Sequence, residues 1–198
     1  AGQQLGAGAV AGLRFAHPVG GIWIGKDVAA ARPVLLAVTF AAAGALLAAA
    51  FGFGAVFAIR RTGSSLMLAG LSGVAALQAF VENLRQLVRY DYPLHAWRVG
   101  AIWLLAAGFA ILLTAYAGAR FAPRRRDLLL GTALVVVPAS FLAPGFDEKT
   151  GWALVIGGGL AGVAAALGVR QRLSGARPVL AYLAGFLVVV FAAPEWLL

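Results

Sequence analysis

Six polar residues at the end of a long apolar run are the strongest candidates for chemistry in this sequence. Glu82 and Arg85 follow hydrophobic sequence that starts at Leu66, and the polar stretch itself contains no Gly or Pro that would stop a helix. Helical spacings of three and four residues put much of this set on one face. Carboxylate, guanidinium and amide groups on one face can bind a charged or polar ligand. The candidate ligand-binding residues are Gln78, Glu82, Asn83, Arg85, Gln86 and Arg89.

This polar set has two interpretations. In the first, Arg85 and Arg89 only mark the end of a membrane helix, and their long side chains reach the lipid headgroups. In the second, the set lines a pocket open to one side of the membrane, because ionisable groups at this depth usually face a protein interior or a water-filled cavity. The sequence leaves both interpretations open.

The composition indicates an integral membrane protein. The 198 residues are 62% hydrophobic and 12% charged, whereas a soluble domain carries about 25% charged residues. Cysteine is absent, which excludes disulfides and thiolate chemistry. The net charge of +9 comes from arginines in short clusters between apolar runs. Such clusters are topology signals, so we expect no nucleic-acid partner.

The apolar runs predict an all-α fold, a polytopic transmembrane bundle in residues 34–198. Pro33 suits a helix start, Pro138 predicts a kink, and the segments around Pro93 and Asp147 are read as turns. Residues 1–33 form an extracytoplasmic segment with a strand-like stretch, Gly20–Gly25. That stretch is either the end of a β-rich outer domain or part of an ordered tail. The six predicted helices cover about 34–59, 66–88, 99–119, 128–144, 152–169 and 178–193.

Small residues inside two of these helices predict close helix packing. Stripes of Gly and Ala let helix backbones approach each other. The run GGGLAG also matches G-x-G-x-x-G, but it lies inside an apolar helix without the strand-to-helix turn of a nucleotide site. The candidate packing residues are Gly44, Ala48, Gly52, Gly157, Gly158 and Gly162.

The charges of the loops predict the orientation of the chain. The loops after the first, third and fifth helices are rich in arginine, and Asp127 is their one acidic residue. Short basic loops lie on the cytoplasmic side. We therefore expect the N-terminus outside and several spans across a plasma membrane. The arginines of these loops are Arg60, Arg61, Arg120, Arg124, Arg125, Arg126, Arg170, Arg172 and Arg177.

The order of these features resembles one family of bacterial receptors. The segments are GGIWIGKDVAAARP, FAIRRTGSSLMLAGLSGVAALQAFVENLRQL, DYPL, the Trp-rich start of the third helix, and RRRDLLL. They are similar to the bacterial seven-transmembrane receptors with diverse intracellular signalling modules. The resemblance implies a β-rich outer domain, seven helices in the inner membrane, and a diguanylate cyclase or histidine kinase beyond them. It carries over no catalytic residue, and it implies a chain truncated after the sixth helix.

We therefore expect a transmembrane sensor that detects an extracytoplasmic or membrane stimulus and passes it to an output domain outside this chain. The alternatives are a small transporter or channel, or a structural subunit of a membrane complex. We expect no enzyme, cofactor or metal site, because His17 and His95 both lie outside the apolar runs and none of the six predicted helices contains a lysine for a Schiff base. The expected partners are the lipid bilayer, an unidentified ligand or periplasmic protein and, as one option, a second copy of the chain.

Overall fold

The computed structural model describes residues 18–87 and 92–192, and within these ranges it is helical and contains no strand. The prediction of an all-α fold is confirmed for this part of the chain. Two short 3-10 helices, Pro123–Arg125 and Ser140–Leu142, flank the fourth α-helix. The α-helices of the described residues are α1 (Pro18–Arg60), α2 (Gly63–Leu87), α3 (Tyr92–Phe121), α4 (Arg126–Ala139), α5 (Phe146–Arg170) and α6 (Ala176–Ala192).

The chain divides into two compact units, Ala1–Ala41 and Ala42–Leu198. In the first unit the structure describes residues 18–41, which are helical. The strand predicted for Gly20–Gly25 is wrong, and Pro33 lies inside α1 instead of starting a helix. A lone strand leaves its backbone groups without partners, whereas a helix satisfies them within the segment. The Ala-rich sequence that follows also favours the helix.

The other helices also begin earlier than the sequence predicts, and the difference is largest for α3 and α5. α3 starts at Tyr92, and α5 starts at Phe146 instead of residue 152. Pro93 therefore belongs to the first turn of α3, where a missing N–H costs nothing. Asp147 and Glu148 lie in the first turn of α5, where carboxylates interact favourably with the helix dipole. The acidic turn predicted here is thus the start of a helix.

Among the described residues, four helices are long and apolar enough to cross a membrane, so a membrane protein is supported by length and composition. They are Leu36–Arg60, Gly63–Leu84, Leu94–Phe121 and Phe146–Arg170. The other two predicted spans are shorter: α4 has 14 residues and α6 has 17. A straight helix needs about 20 residues to cross the hydrocarbon core. By helix length alone, the described residues therefore support four of the six predicted spans.

Helices α3 and α5 lie side by side and run in the same direction. A Cβ placed on Gly157 of α5 would lie 2.6 Å from the Cα of Ala110 in α3. One placed on Gly168 would lie 2.9 Å from the Cβ of Phe121. Since both contacts advance by the same number of residues along each helix, the two helices are parallel. Their backbones approach closely only because glycine has no side chain.

The other neighbouring helices are antiparallel. Gly118, near the end of α3, lies against Arg126 at the start of α4. Trp103, in the first half of α3, donates a hydrogen bond to Ser140 just after α4. Helix α6 likewise reverses α5, with Ala176 near Gly168. Helix α2 reverses α3, as its contacts at both ends show. The bundle thus alternates in direction from α2 to α6.

The core of this bundle is built mainly from alanine. Ala107, Ala110 and Ala153 form one buried cluster with neighbours in α4. A second cluster joins α3, α5 and α6 around Ala161, Ala164 and their neighbours. Small side chains bring the helix axes close together, and van der Waals contact then replaces the hydrophobic drive that lipid cannot supply.

Candidate functional site

The polar residues at the α2–α3 end of the bundle meet through Arg98. We call Gln78, Glu82, Asn83 and Arg98 the polar seam. Arg98 lies in the second turn of α3, and its Nη1 donates a hydrogen bond to the backbone carbonyl of Glu82 at 2.7 Å. The same atom lies 3.5 Å from the carbonyl of Val81. A guanidinium group therefore links the start of α3 to the last turns of α2.

Gln78 and Glu82 form the side-chain part of the seam. The Nε2 of Gln78 donates to Oε1 of Glu82 at 2.9 Å, one helical turn away. Glu82 is exposed and Gln78 is half-buried. The carboxylate is therefore held toward Gln78, while the backbone carbonyl of the same residue accepts from Arg98.

Asn83 is buried but is satisfied within its own helix. Its Nδ2 donates to the carbonyl of Ala79 at 2.8 Å, and the residue is 8% exposed. This back-bond in an apolar helix meets the need of a buried amide for a partner.

The remaining candidates contribute less to the described geometry. Arg85 and Gln86 lie in the last turn of α2, and their side chains lie outside the described residues. Arg89 lies outside the described residues altogether. The structure thus brings Gln78, Glu82 and Asn83 to one end of α2.

Arg98 is the residue of the seam that sequence reasoning missed. In an antiparallel pair, positions equally far from the connection face each other. Glu82 and Arg98 stand at similar distances before and after residues 88–91. That symmetry was a usable signal, but it depends on knowing that α3 begins at Tyr92 instead of residue 99.

The guanidinium of Arg98 is only partly satisfied. Its Nε is buried and has no hydrogen-bond partner among the described residues. Its described acceptors are neutral carbonyl oxygens, and guanidinium has five N–H donors in a planar fork. A fork with spare donors suits a carboxylate or another planar anion.

A second polar contact lies in the second half of α3. Thr114 is fully buried, and its Oγ1 donates to the carbonyl of Ala110 at 2.9 Å. The same oxygen lies 3.3 Å from the carbonyl of Gly157 in α5. The hydroxyl is therefore satisfied at the close α3–α5 crossing.

Aromatic rings and a lysine gather near the polar seam's end of the bundle. The indole Nε1 of Trp103 donates to Oγ of Ser140 at 3.1 Å, and its ring lies edge-on to Phe141 at 4.8 Å. The ammonium of Lys149 stands 4.3 Å from the Phe141 ring and 5.0 Å from the Phe146 ring. Trp and cation–π groups of this kind are typical of a membrane–water interface.

The packing glycines fall into two groups. Gly157 lies against Ala110, and a Cβ on Gly158 would lie 3.1 Å from Leu187 of α6. A Cβ on Gly162 would meet no atom within 4 Å. The stripe of Gly44, Ala48 and Gly52 is exposed, so the structure does not bring it against another described helix.

The comparisons with known proteins give no family. No protein-family model matches the chain, and neither a search of curated proteins nor a search of solved structures finds a similar protein. Within the described residues, no three His, Cys, Asp or Glu side chains are placed to hold a metal ion. The function must therefore be argued from the geometry of the bundle and from the polar seam.

Proposed function

We propose that this chain is the membrane-embedded sensing part of a signalling protein, with the polar seam as its receiving site. The observation that carries the proposal is the bridge from Arg98 to the carbonyl of Glu82. A charged group holds two helices together there through neutral acceptors. An anionic ligand that binds the guanidinium in place of the Glu82 carbonyl would change the packing of α2 against α3. Such a ligand binds one packing more tightly than the other, and this differential affinity is what a sensor requires.

The proposal includes six spans and an N-terminus outside the bacterial inner membrane. Because α3 and α5 are parallel, the chain between them must return along the bundle. Residues 126–142 make that return, and a 14-residue α-helix plus a 3-10 turn is about 27 Å long. This length approaches the ~30 Å core, and flanking side chains can absorb the difference. The arginine-bearing connections then share the cytoplasmic side.

The output of the sensor would lie outside this chain. The resemblance to seven-transmembrane receptors implies a seventh helix and a cyclase or kinase module, and the proposal assigns no catalysis to these residues. Transport is less well supported by the geometry, because pathways need polar groups or broken helices near the midplane. The buried polar residues among those described are Asn83, Thr114 and Ser140, and each already has a hydrogen-bond partner within the bundle.

Thermal unfolding with carboxylate ligands tests the proposed site. Wild-type protein is titrated with a panel of di- and tricarboxylates, and binding to the folded state should raise the Tm. The same ligands should not change the Tm of Arg98→Gln. They should raise the Tm of Arg172→Gln, a change at the opposite end of the bundle, as they do for wild type. A panel without effect on wild type, or one that shifts both variants equally, would remove the polar seam as a receiving site.

A structural subunit of a larger membrane complex is the second candidate. It is favoured by the apolar surface of α1, where Leu47, Phe51 and Ile59 are exposed beside the small-residue stripe. Cysteines at Gly44 and Gly52 share one helix face and would cross-link to a neighbour in native membranes if that face is an interface. A cysteine at Ala42, which is exposed and lies about 120° around the helix from Ala48, provides the control. Equal, low cross-linking at all three positions would exclude this candidate.

A further inference from the structure

The connection between α5 and α6 surrounds an open cavity of about 450 Å³. It lies at the end of the bundle that carries the arginine-rich connections. Arg172, Ser174 and Arg177 line it, and Leu173 and Pro178 add apolar surface. The cavity combines two permanent positive charges with a hydroxyl and an apolar wall.

The backbone of Arg172 shapes the connection between α5 and α6. Helix α5 ends with hydrogen bonds from Leu173 N to Gly168 O and from Arg172 N to Val169 O. Arg172 then takes the left-handed position, with φ 56°, which glycine usually fills. Three residues later the same connection does use glycine, at Gly175 with φ 82°. The left-handed residue closes the end of α5 and begins the turn that lines the cavity.

The charges at this cavity have no acidic residue near them in the chain. Residues 150–194 contain no Asp or Glu. Arg172, Ser174 and Arg177 are all exposed. The positive-inside preference needs only basic residues in a loop, so it explains neither the cavity nor the backbone of Arg172.

We propose that this cavity binds a phosphate group, with the headgroup of an anionic phospholipid as its source. Paired guanidinium groups bind phosphate oxygens through parallel N–H donors, and the Ser174 hydroxyl adds a further donor. Leu173 and Pro178 would contact the glycerol end of the lipid. The proposal is independent of the polar seam, which lies at the other end of the bundle.

Lipid binding by the purified full chain in detergent tests the proposal. Phosphatidylglycerol, phosphatidylcholine and inorganic phosphate are titrated separately, and bound lipid is counted by native mass spectrometry. We expect phosphatidylglycerol to bind wild type at least tenfold more tightly than phosphatidylcholine. Arg172→Gln combined with Arg177→Gln should lose that preference, and Arg125→Gln, a basic-end control outside the cavity, should keep it.

The arms of the titration distinguish the source of the phosphate. Competition by millimolar inorganic phosphate, with no advantage for the lipid, would support the phosphate chemistry but assign it to a soluble anion. Equal binding of the two lipids without phosphate competition would overturn the proposal, as would equal losses in the double variant and in Arg125→Gln.

Arg172→Gly separates loss of the site from loss of the fold. Glycine relieves the left-handed backbone while removing the guanidinium, so the Tm should not fall but lipid preference should. Arg61→Gly makes the same exchange at the end of α1, where φ is 52°, outside the cavity. It should leave lipid preference unchanged. Wild-type lipid preference in a stably folded Arg172→Gly protein would overturn the proposal.

Discussion

Arg98 links α2 and α3 at the polar-seam end of the bundle. Its Nη1 bond to the carbonyl of Glu82 is charge-assisted, and bonds of this kind contribute about 1.5–3 kcal/mol. Since Arg98 is only partly buried, solvent reduces this figure. We expect Arg98→Ala to lower the free energy of unfolding by about 1–2 kcal/mol. Arg98→Lys keeps the charge but loses the planar fork of donors, so its free energy of unfolding should lie between those of wild type and Arg98→Ala.

Unfolding in detergent measures this difference, and Arg124→Ala supplies the matched control. Arg124 is exposed in the short 3-10 helix before α4, where surface changes alter stability by less than about 0.5 kcal/mol. If the variants at 98 and 124 were equally stable, the bridge would carry no energy and Arg98 would only reach the headgroups.

The two arginines with left-handed backbones give a second prediction at this scale. A non-glycine residue in that region costs about 1–2 kcal/mol, and glycine in the unfolded chain offsets part of it. Arg172→Gly should therefore raise the free energy of unfolding by up to about 1 kcal/mol. Arg61→Gly should raise the free energy of unfolding by less, because it also removes the cation–π contact of Arg61 with the ring of Phe57, at 5.9 Å. A Tm below wild type for Arg172→Gly would show that its side chain stabilises the connection.

At the scale of the helices, α5 is the element that fixes the bundle, because glycine lets it touch α3 and α6 at once. An added methyl at Gly157 would meet the Cα and carbonyl of Ala110 at 2.6 and 3.0 Å, and a backbone cannot move aside cheaply. Overpacking of this kind costs about 1–3 kcal/mol, so Gly157→Ala should be clearly destabilised.

Gly162→Ala is the matched control on the same helix. Its new methyl would meet nothing within 4 Å, and alanine favours a helix over glycine by up to about 1 kcal/mol. We expect this variant to be at least as stable as wild type in the same unfolding assay. A loss at 162 equal to that at 157 would mean that the α5 glycines act through helix flexibility and not through close approach.

The helices could be predicted from the sequence much better than their starts and contacts. Apolar length identifies α2 and α3 because lipid demands it. It does not identify the beginning of α3, since Pro93 is read as a turn although proline is also accepted in a first helical turn. The Gly20–Gly25 pattern alternates like a strand, yet no local pattern states whether a partner strand exists. Arg98 was not predicted as a site residue, because its acceptors are backbone carbonyls that no side-chain motif marks.

At the scale of the whole molecule, the direction of α4 decides the topology. The contacts of Gly118 with Arg126 and of Trp103 with Ser140 lie 15 positions apart on α3, about 22 Å along its axis. Helix α4 with its 3-10 extension therefore follows α3 over most of a bilayer's depth. If α3 crosses the membrane, the two ends of this segment face opposite sides, even though α4 alone is too short to be recognised as a span.

Single cysteines read with a membrane-impermeant thiol reagent in intact cells test this topology directly. Ser64, Arg125 and Ser174 lie in exposed parts of the basic end, and Asp147 is exposed at the opposite end. We expect cysteine at 147 to be labelled from outside and those at 64, 125 and 174 only after the cells are opened. Cysteine at 91, outside the described residues, should behave like 147.

Positions 125 and 147 are the decisive pair, because only a crossing by residues 126–142 can separate them. Labelling of both from the same side would contradict a membrane crossing by the parallel helices α3 and α5, and the proposed six spans would have to be abandoned. Labelling of 125 alone from outside would keep the crossing but invert the whole domain, and the polar seam would then face the cytoplasm.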